Sequence, residues 1–305
     1  MKVLILGLGS IARKHVQSIR NIVPSSQIFA LRSGNEGEKY PGVTNIYSLS
    51  EIDTRSMNFC IISTPTSEHK SSIEQVIRYG VPLFIEKPIH NSLQIKSTVL
   101  QLTKASHVTY VACNLRFLDS LQYLENNMDI LVSKKINEVN IYCGSYLPDW
   151  RKNTSFRDSY SANRELGGGV HLDLIHELDY LYWMFGIPLS VHSVFKNQST
   201  LEISAFDYAN YLLEYDGFCA SVVLNYYRRD SKRTLELVFA DETWEIDILK
   251  NNITSNNQSI FSSEQSIMDT YDLQMEYFIR CIEMQSTPFN TIDDGFNVLE
   301  MCLNL

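Results

Sequence analysis

At 305 residues the chain is longer than a single hydrophobic core usually spans, so two domains are expected. Hydrophobic residues make up 44% and charged residues 20%, which is ordinary for a globular protein and argues against a disordered chain. The 26 basic and 35 acidic residues leave a formal charge of −9, which argues against nucleic acid as a partner but still allows a local basic cleft for a phosphorylated cofactor.

No apolar run approaches the length of a membrane span. The opening MKVLILGLGS starts like a secretory leader, but Gly7 and Gly9 break the run, and Arg13, Lys14 and His15 follow. A buried first strand and a cytoplasmic protein are therefore expected. Residues 2–6, KVLIL, are continuously apolar, as in the central strand of a parallel sheet. After a glycine turn, Ile11, Val16 and Ile19 fall on one helical face. QIFAL at 27–31 and NFCIIS at 58–63 read as strands, with VTNIY at 43–47 a short one between them. A polar helix carrying Ile73, Val76 and Ile77 stops at Gly80. PLFIE at 82–86, a helix over 91–105 and HVTYVAC at 107–113 complete the alternation. This order predicts a doubly wound parallel sheet.

Beyond a helix at 116–127 the period changes. INEVNIYCGSYL (136–147), FDYANYLLEY (206–215), FCASVVLNYY (218–227), TLELVFAD (234–241) and TWEIDIL (243–249) alternate with period two, and predict an antiparallel sheet with one face covered. A long helix is expected over 168–184, others over 264–284 and 292–304, and NNITSNNQS at 251–259 reads as a polar loop. The predicted class is thus α/β: an N-terminal Rossmann domain over 1–118, then an α+β domain over 119–305 with a mainly antiparallel sheet. Cys60, Cys113, Cys143, Cys219, Cys281 and Cys302 form no C-x-x-C pair. Most lie in apolar runs, as buried thiols do in a reducing compartment, and no metal site is expected.

Gly7-Leu8-Gly9-Ser10-Ile11-Ala12 is a G-x-G-x-x-A segment between a strand and a helix. Gly7 permits the tight turn, and Gly9 lets backbone approach a pyrophosphate. Ala12 lets helix and strand pack closely, and the free amides around Ser10 and Ile11 meet the anion. At the end of the second strand stand Arg32 and Ser33, where an NAD enzyme usually carries an acid. A guanidinium and a hydroxyl suit a 2′-phosphate, so NADP is the expected cofactor; NAD, with Arg32 on adenine or in solvent, is the alternative. Glu36 and Glu38 lie too far into the loop for diol ligands.

Three further segments carry a resemblance. Ser63-Thr64-Pro65-Thr66-Ser67-Glu68-His69 follows the fourth strand, Glu86-Lys87-Pro88 the fifth, and Gly167-Gly168-Gly169 leads into Asp173-Leu174-Ile175-His176. With the glycine turn, their order and spacing resemble the glucose–fructose oxidoreductase and inositol dehydrogenase (Gfo/Idh/MocA) family over nearly the whole chain. The resemblance implies that Thr64 and Pro65 pack near ribose and nicotinamide, and that His69 caps or braces the helix behind them. It makes Lys87, flanked by Glu86 and Pro88, the family's signature lysine at the cofactor crevice, where an ammonium can stabilise charge on a substrate oxygen.

His176 is the candidate acid/base, because imidazole titrates near neutrality. Asp173, three residues earlier, shares its helix face if one helix runs through both, and is the candidate orienting group. Family members often have D-x-x-x-H where this chain has D-x-x-H, which leaves the aspartate open. His171 and Asp179 read as structural. Asn114 in Asn114-Leu115-Arg116-Phe117 is a candidate for nicotinamide or substrate, and Arg116 equally an interdomain brace. Trp150 and Arg151 resemble a Trp–Arg pair that covers the cofactor. The insert 152–165 carries Arg157, Tyr160 and Arg164. It resembles a branch found in bacterial surface-sugar and nonulosonic acid pathways, its arginines either holding an acidic group or solvated.

Hydride transfer between NAD(P) and a sugar-like alcohol or ketone is the expected function. Redox-neutral elimination or glycoside cleavage through bound NAD(P), and a non-catalytic NAD(P)-binding regulator, are the alternatives. A homodimer or tetramer through the antiparallel sheet is expected if Val223, Tyr226, Tyr227 and Trp244 face outward rather than packing on the chain's own helices.

Overall fold

The computed structural model describes residues 1–34, 39–104, 108–151 and 155–304. Glu36 and Glu38, the head of the sixth predicted strand at His107, and the start of the insert at Lys152 lie outside the described residues. Two compact units form: Met1–Asn114 with Met268–Leu299, and Leu115–Ile267 with Glu300–Leu305.

The first unit is built on a six-stranded parallel sheet. Its strands are β1 (Lys2–Leu6), β2 (Gln27–Leu31), β3 (Val43–Ile46), β4 (Phe59–Ile62), β5 (Leu83–Ile85) and β6 (Thr109–Val111). Their order across the sheet is β3-β2-β1-β4-β5-β6, the doubly wound order of a Rossmann domain. Central strands buried on both faces explain the unbroken apolar runs: Val3, Leu4, Ile5, Phe59, Ile61 and Phe84 are all inaccessible. Helices α1 (Ser10–Ile22), α2 (His69–Val76) and α3 (Lys96–Thr103) connect strands, and a left-handed Gly80 closes the turn that continues α2. A late helix, α8 (Asp269–Met284), packs Met275, Phe278 and Cys281 into the core shared with Val16 and Ile19 of α1. Its apolar stripe therefore joins the first unit, although its place in the chain lies with the second.

The second unit carries an eight-stranded sheet. Helices α4 (Asp119–Asn126) and α5 (Met128–Ser133) lead into β7 (Ile136–Tyr146). The remaining strands are β8 (Ser190–Lys196), β9 (Tyr208–Tyr215), β10 (Phe218–Asn225), β11 (Tyr227–Phe239), β12 (Thr243–Asp247), β13 (Asn252–Ser255) and β14 (Gln258–Ser262). Every pairing is antiparallel except β7 with β10.

Three details depart from the sequence prediction. The stretch 251–259 is not a loop: β13 and β14 form a hairpin around Asn256 and Asn257, both at positive φ, as a tight two-residue turn requires. β8 is an added edge strand with only weak alternation. The single helix expected over 168–184 is two, α6 (Val170–Asp173) and α7 (His176–Phe185), with the chain leaving helical geometry at Leu174. The last helix, α9, spans Ile292–Leu303.

Candidate active site

In the first unit, the turn between β1 and α1 is shaped by its glycines. Gly7 has φ +83°, and a Cβ there would lie 2.8 Å from the Ser63 carbonyl oxygen and 2.9 Å from the Thr64 backbone. Only glycine lets the β1 turn and the β4 turn pass so closely. Ser63 then locks them together, its hydroxyl donating to the Gly7 carbonyl at 2.8 Å. Gly9 is extended and caps α1 without any side-chain hydrogen bond, and a Cβ on it would meet nothing within 4 Å. The helix start is thus an open cradle of amides, while Ala12 is buried behind it.

Beside this turn is a cleft of about 530 Å³, lined among others by Arg32, Ser33, Thr64, Pro65, Glu68 and Arg78. Thr64 shares a hydroxyl hydrogen bond with Ser72 of α2 at 3.0 Å. His69 is buried between two carbonyls, with Nε2 3.0 Å from Thr64 O and Nδ1 3.2 Å from Ile89 O. Burial pulls its pKa down, against the raising pull of those carbonyls and of Glu86. The ring ties the loop after β4 to the segment after Pro88.

Lys87 follows β5 at the carboxyl edge of the sheet and is half-buried. Glu86, 6% exposed, turns its carboxylate back so that Oε2 accepts the Lys87 backbone N–H at 3.2 Å, while Oε1 meets His15 Nε2 at 2.5 Å. Asn114 is buried and donates to Thr270 Oγ1 of α8 at 2.7 Å.

In the second unit His176 opens α7 and is almost fully buried. The helix behind it is anchored by two buried forks. Arg233 reaches Glu177 at 2.6 and 3.1 Å, and Arg116 reaches Asp179 at 3.0 and 2.7 Å. Acids in the first turn also suit the helix dipole, so this arrangement fixes the start of α7 and with it the imidazole. Asp173 ends the preceding short helix. Its Oδ1 accepts the Tyr160 hydroxyl at 2.7 Å and its Oδ2 the Tyr226 hydroxyl at 2.5 Å. Burial, and next the Asp173 charge, push both phenols well above their ordinary pKa, so they stay neutral donors. Gly168 makes room for this: a Cβ there would collide with the Tyr160 carbonyl at 2.0 Å. Trp150 sets its ring edge against Tyr226 at 5.3 Å, and the Arg151 guanidinium lies 5.6 Å from the Tyr160 ring.

Two family models match the chain: "Oxidoreductase family, NAD-binding Rossmann fold" over residues 1–114, and "GFO/IDH/MocA C-terminal domain" over residues 128–246. The chain belongs to the Gfo/Idh/MocA family. An inositol 2-dehydrogenase of Leifsonia xyli subsp. xyli is 22% identical over 62% of this chain and 55% of its own length. A 2,7-anhydro-N-acetylneuraminate hydratase of Mediterraneibacter gnavus is 26% identical over 46% of this chain and 35% of its own length. The chain thus matches about half or less of these curated relatives. The solved myo-inositol 2-dehydrogenase of Lactobacillus plantarum superposes over 99% of this chain and 95% of its own with a TM-score of 0.80, at 20% identity.

Within this Gfo/Idh/MocA chain, Gly7, Gly9, Ser10, Ile11, Ala12, Arg32, Ser33, Thr64, Pro65, His69, Glu86, Lys87 and Asn114 all belong to the first unit. Asp173, His176, Trp150 and Arg151 belong to the second. The shared helix face expected for Asp173 and His176 does not exist, because the chain breaks between them; the aspartate instead receives two tyrosines. Arg116 pairs inside the second unit. Tyr226 and Trp244 are buried there, Trp244 against Phe239 and Tyr123, so neither faces outward from the sheet. The sequence passed over Arg78, His15, Glu177 and Arg233. Arg78 has only its place before Gly80 as a signal, and His15 only its position one and a half turns into the cofactor helix.

Proposed function

We propose that this protein is an NAD(P)-dependent oxidoreductase that moves a hydride between nicotinamide and a CH–OH or keto group of a sugar-like substrate. The observation that carries the reading is the cradle at Gly9, open and uncapped, beside a cleft with two guanidiniums. A Cβ-sized space left at a helix start, with amides unclaimed by side chains, fits a dinucleotide diphosphate. Arg32, Ser33 and Arg78 in the same cleft favour the 2′-phosphate of NADP over the diol of NAD. When bound, the nicotinamide ring supplies the hydride acceptor or donor.

In this reading Lys87 donates a hydrogen bond to the substrate oxygen and stabilises its developing charge. His176 takes or returns the hydroxyl proton, held in place by the anchored start of α7. Asp173 ties the insert to the junction of β10 and β11 through Tyr160 and Tyr226, a supporting role in place of the orienting one. Lys87→Ala and His176→Ala should each lower turnover by about a hundredfold or more while leaving NADPH affinity nearly unchanged. Turnover kinetics with myo- and scyllo-inositol beside NADPH fluorescence titration test this, and wild-type turnover in both variants would remove the mechanism.

A second reading is favoured by the likeness to 2,7-anhydro-N-acetylneuraminate hydratases, that of Mediterraneibacter gnavus among them. In it the same residues serve a redox-neutral reaction on a nonulosonic acid derivative. Incubation with 2,7-anhydro-N-acetylneuraminate separates the two: product without a net change in nicotinamide absorbance favours this second reading.

A further inference from the structure

Resting on the reading of Lys87 as the group that meets substrate, we propose that His15 is a positioning residue, tying Lys87 to the dinucleotide-binding helix through Glu86. The chain of contacts is short and lies wholly in the first unit. His15 sits on α1 six residues beyond Gly9 and is fully buried. Its Nε2 lies 2.5 Å from Glu86 Oε1, and the other carboxylate oxygen accepts the backbone N–H of Lys87 at 3.2 Å. The helix that presents amides to the diphosphate thus also holds the peptide from which the lysine projects.

The direction of the hydrogen bond follows from the inventory of donors. The carboxylate oxygen is the acceptor and the ring Nε2–H the donor. Nδ1 has no hydrogen-bond partner among the described residues. Packing fixes the ring plane: the imidazole makes T-shaped contacts with Phe84, ring centroids 4.8 Å apart, and with Tyr271 of α8, 6.1 Å apart. Lys14 completes the surroundings, its ammonium 4.6 Å from the Tyr271 ring. Glu86 is therefore the acid among four basic side chains, Lys14, His15, His69 and Lys87; burial lowers the pKa of Lys14 and of His69, and the Glu86 charge pulls against it in both.

A purely structural role would be served better by apolar side chains, because a buried polar pair rarely stabilises more than its hydrophobic replacement. Here the acid instead spends its second oxygen on the peptide of the adjacent lysine. Such a brace fits a reacting group that must be held to within about half an ångström.

Two variants of similar volume separate the roles. His15→Phe keeps the packing and removes the donor; His15→Gln keeps a donor at the position of Nε2. Each is prepared as the full chain with NADPH bound, and its lysines are labelled by reductive 13C-methylation. The Lys87 signal is identified by its loss in Lys87→Arg. The expected result is a displaced or broadened Lys87 signal in His15→Phe, its return in His15→Gln, and NADPH affinity within about threefold of the parent in both, since the diphosphate cradle is untouched. Where the parent oxidises an alcohol, kcat should fall about tenfold in His15→Phe with KM little changed. A parent-like Lys87 signal in His15→Phe, or a displaced one that His15→Gln fails to restore, would overturn the proposal. The resonance needs no substrate, so absence of turnover in the parent would remove the functional reading without deciding this one.

Discussion

A guanidinium at position 32 and a hydroxyl at position 33 stand where an acid would otherwise receive the adenosine ribose. Charge-assisted hydrogen bonds to a phosphate are worth about 1.5–3 kcal/mol each, so Arg32→Ala should weaken NADPH binding roughly tenfold to a hundredfold and NADH far less. Fluorescence titration with both cofactors checks this, and tighter NADH binding by the parent would reverse the cofactor assignment. At this scale residue type alone marks candidates in the sequence, such as Lys87 and Arg32. The sequence was silent where partners meet through the fold. Nothing in the spacing of His15 and Glu86, or of Tyr160, Asp173 and Tyr226, announces that they touch, because each pairing is set by sheet order and not by local periodicity.

The turn from β1 to α1 shows how one element divides its work between two glycines. Gly7 is required by the fold: its positive φ and its approach to Thr64 make Gly7→Ala cost roughly 1–3 kcal/mol or more. Gly9 has an ordinary extended φ and open space around it, so Gly9→Val should leave the free energy of unfolding within about 0.5 kcal/mol while weakening NADPH binding at least tenfold. Urea melts and cofactor titrations on the two variants test the division, and equal loss of stability in both would contradict it. The first β-turn-α unit was legible because apolar run, glycine spacing and amphipathic helix all agree. The region after Gly169 was not, because the break at Leu174 has no proline or glycine to mark it, and apolar periodicity continues straight through. The β13–β14 hairpin was masked by composition: two asparagines at positive φ and mostly polar strands read as loop, with Ile253 buried and its cross-strand partner Phe261 packed on Tyr123.

For the molecule as a whole, buried titratable groups set how stability follows pH. His171 is 6% exposed, and burial draws its pKa down to about 4, with Arg164 acting in the same direction and Asp173 against it. Its unfolded value is near 6.5, so between about 6.5 and about 4 the unfolded chain binds the extra proton. Stability from this group is complete above that window and is lost as pH falls through it, by about 3 kcal/mol in total. His171→Asn should flatten that part of the acid limb in urea melts, and an unchanged limb would show that the ring is solvated. The parallel sheet and the family were legible from strand–helix alternation and motif order. Which segments build each unit was not, because the contacts of α8 with α1 bridge most of the chain. The proposed hydride transfer by this Gfo/Idh/MocA chain is tested most directly by nicotinamide absorbance during incubation with NADP and the inositols. Steady reduction that stops in Lys87→Ala is the predicted result; product formed with no net change in absorbance would contradict it.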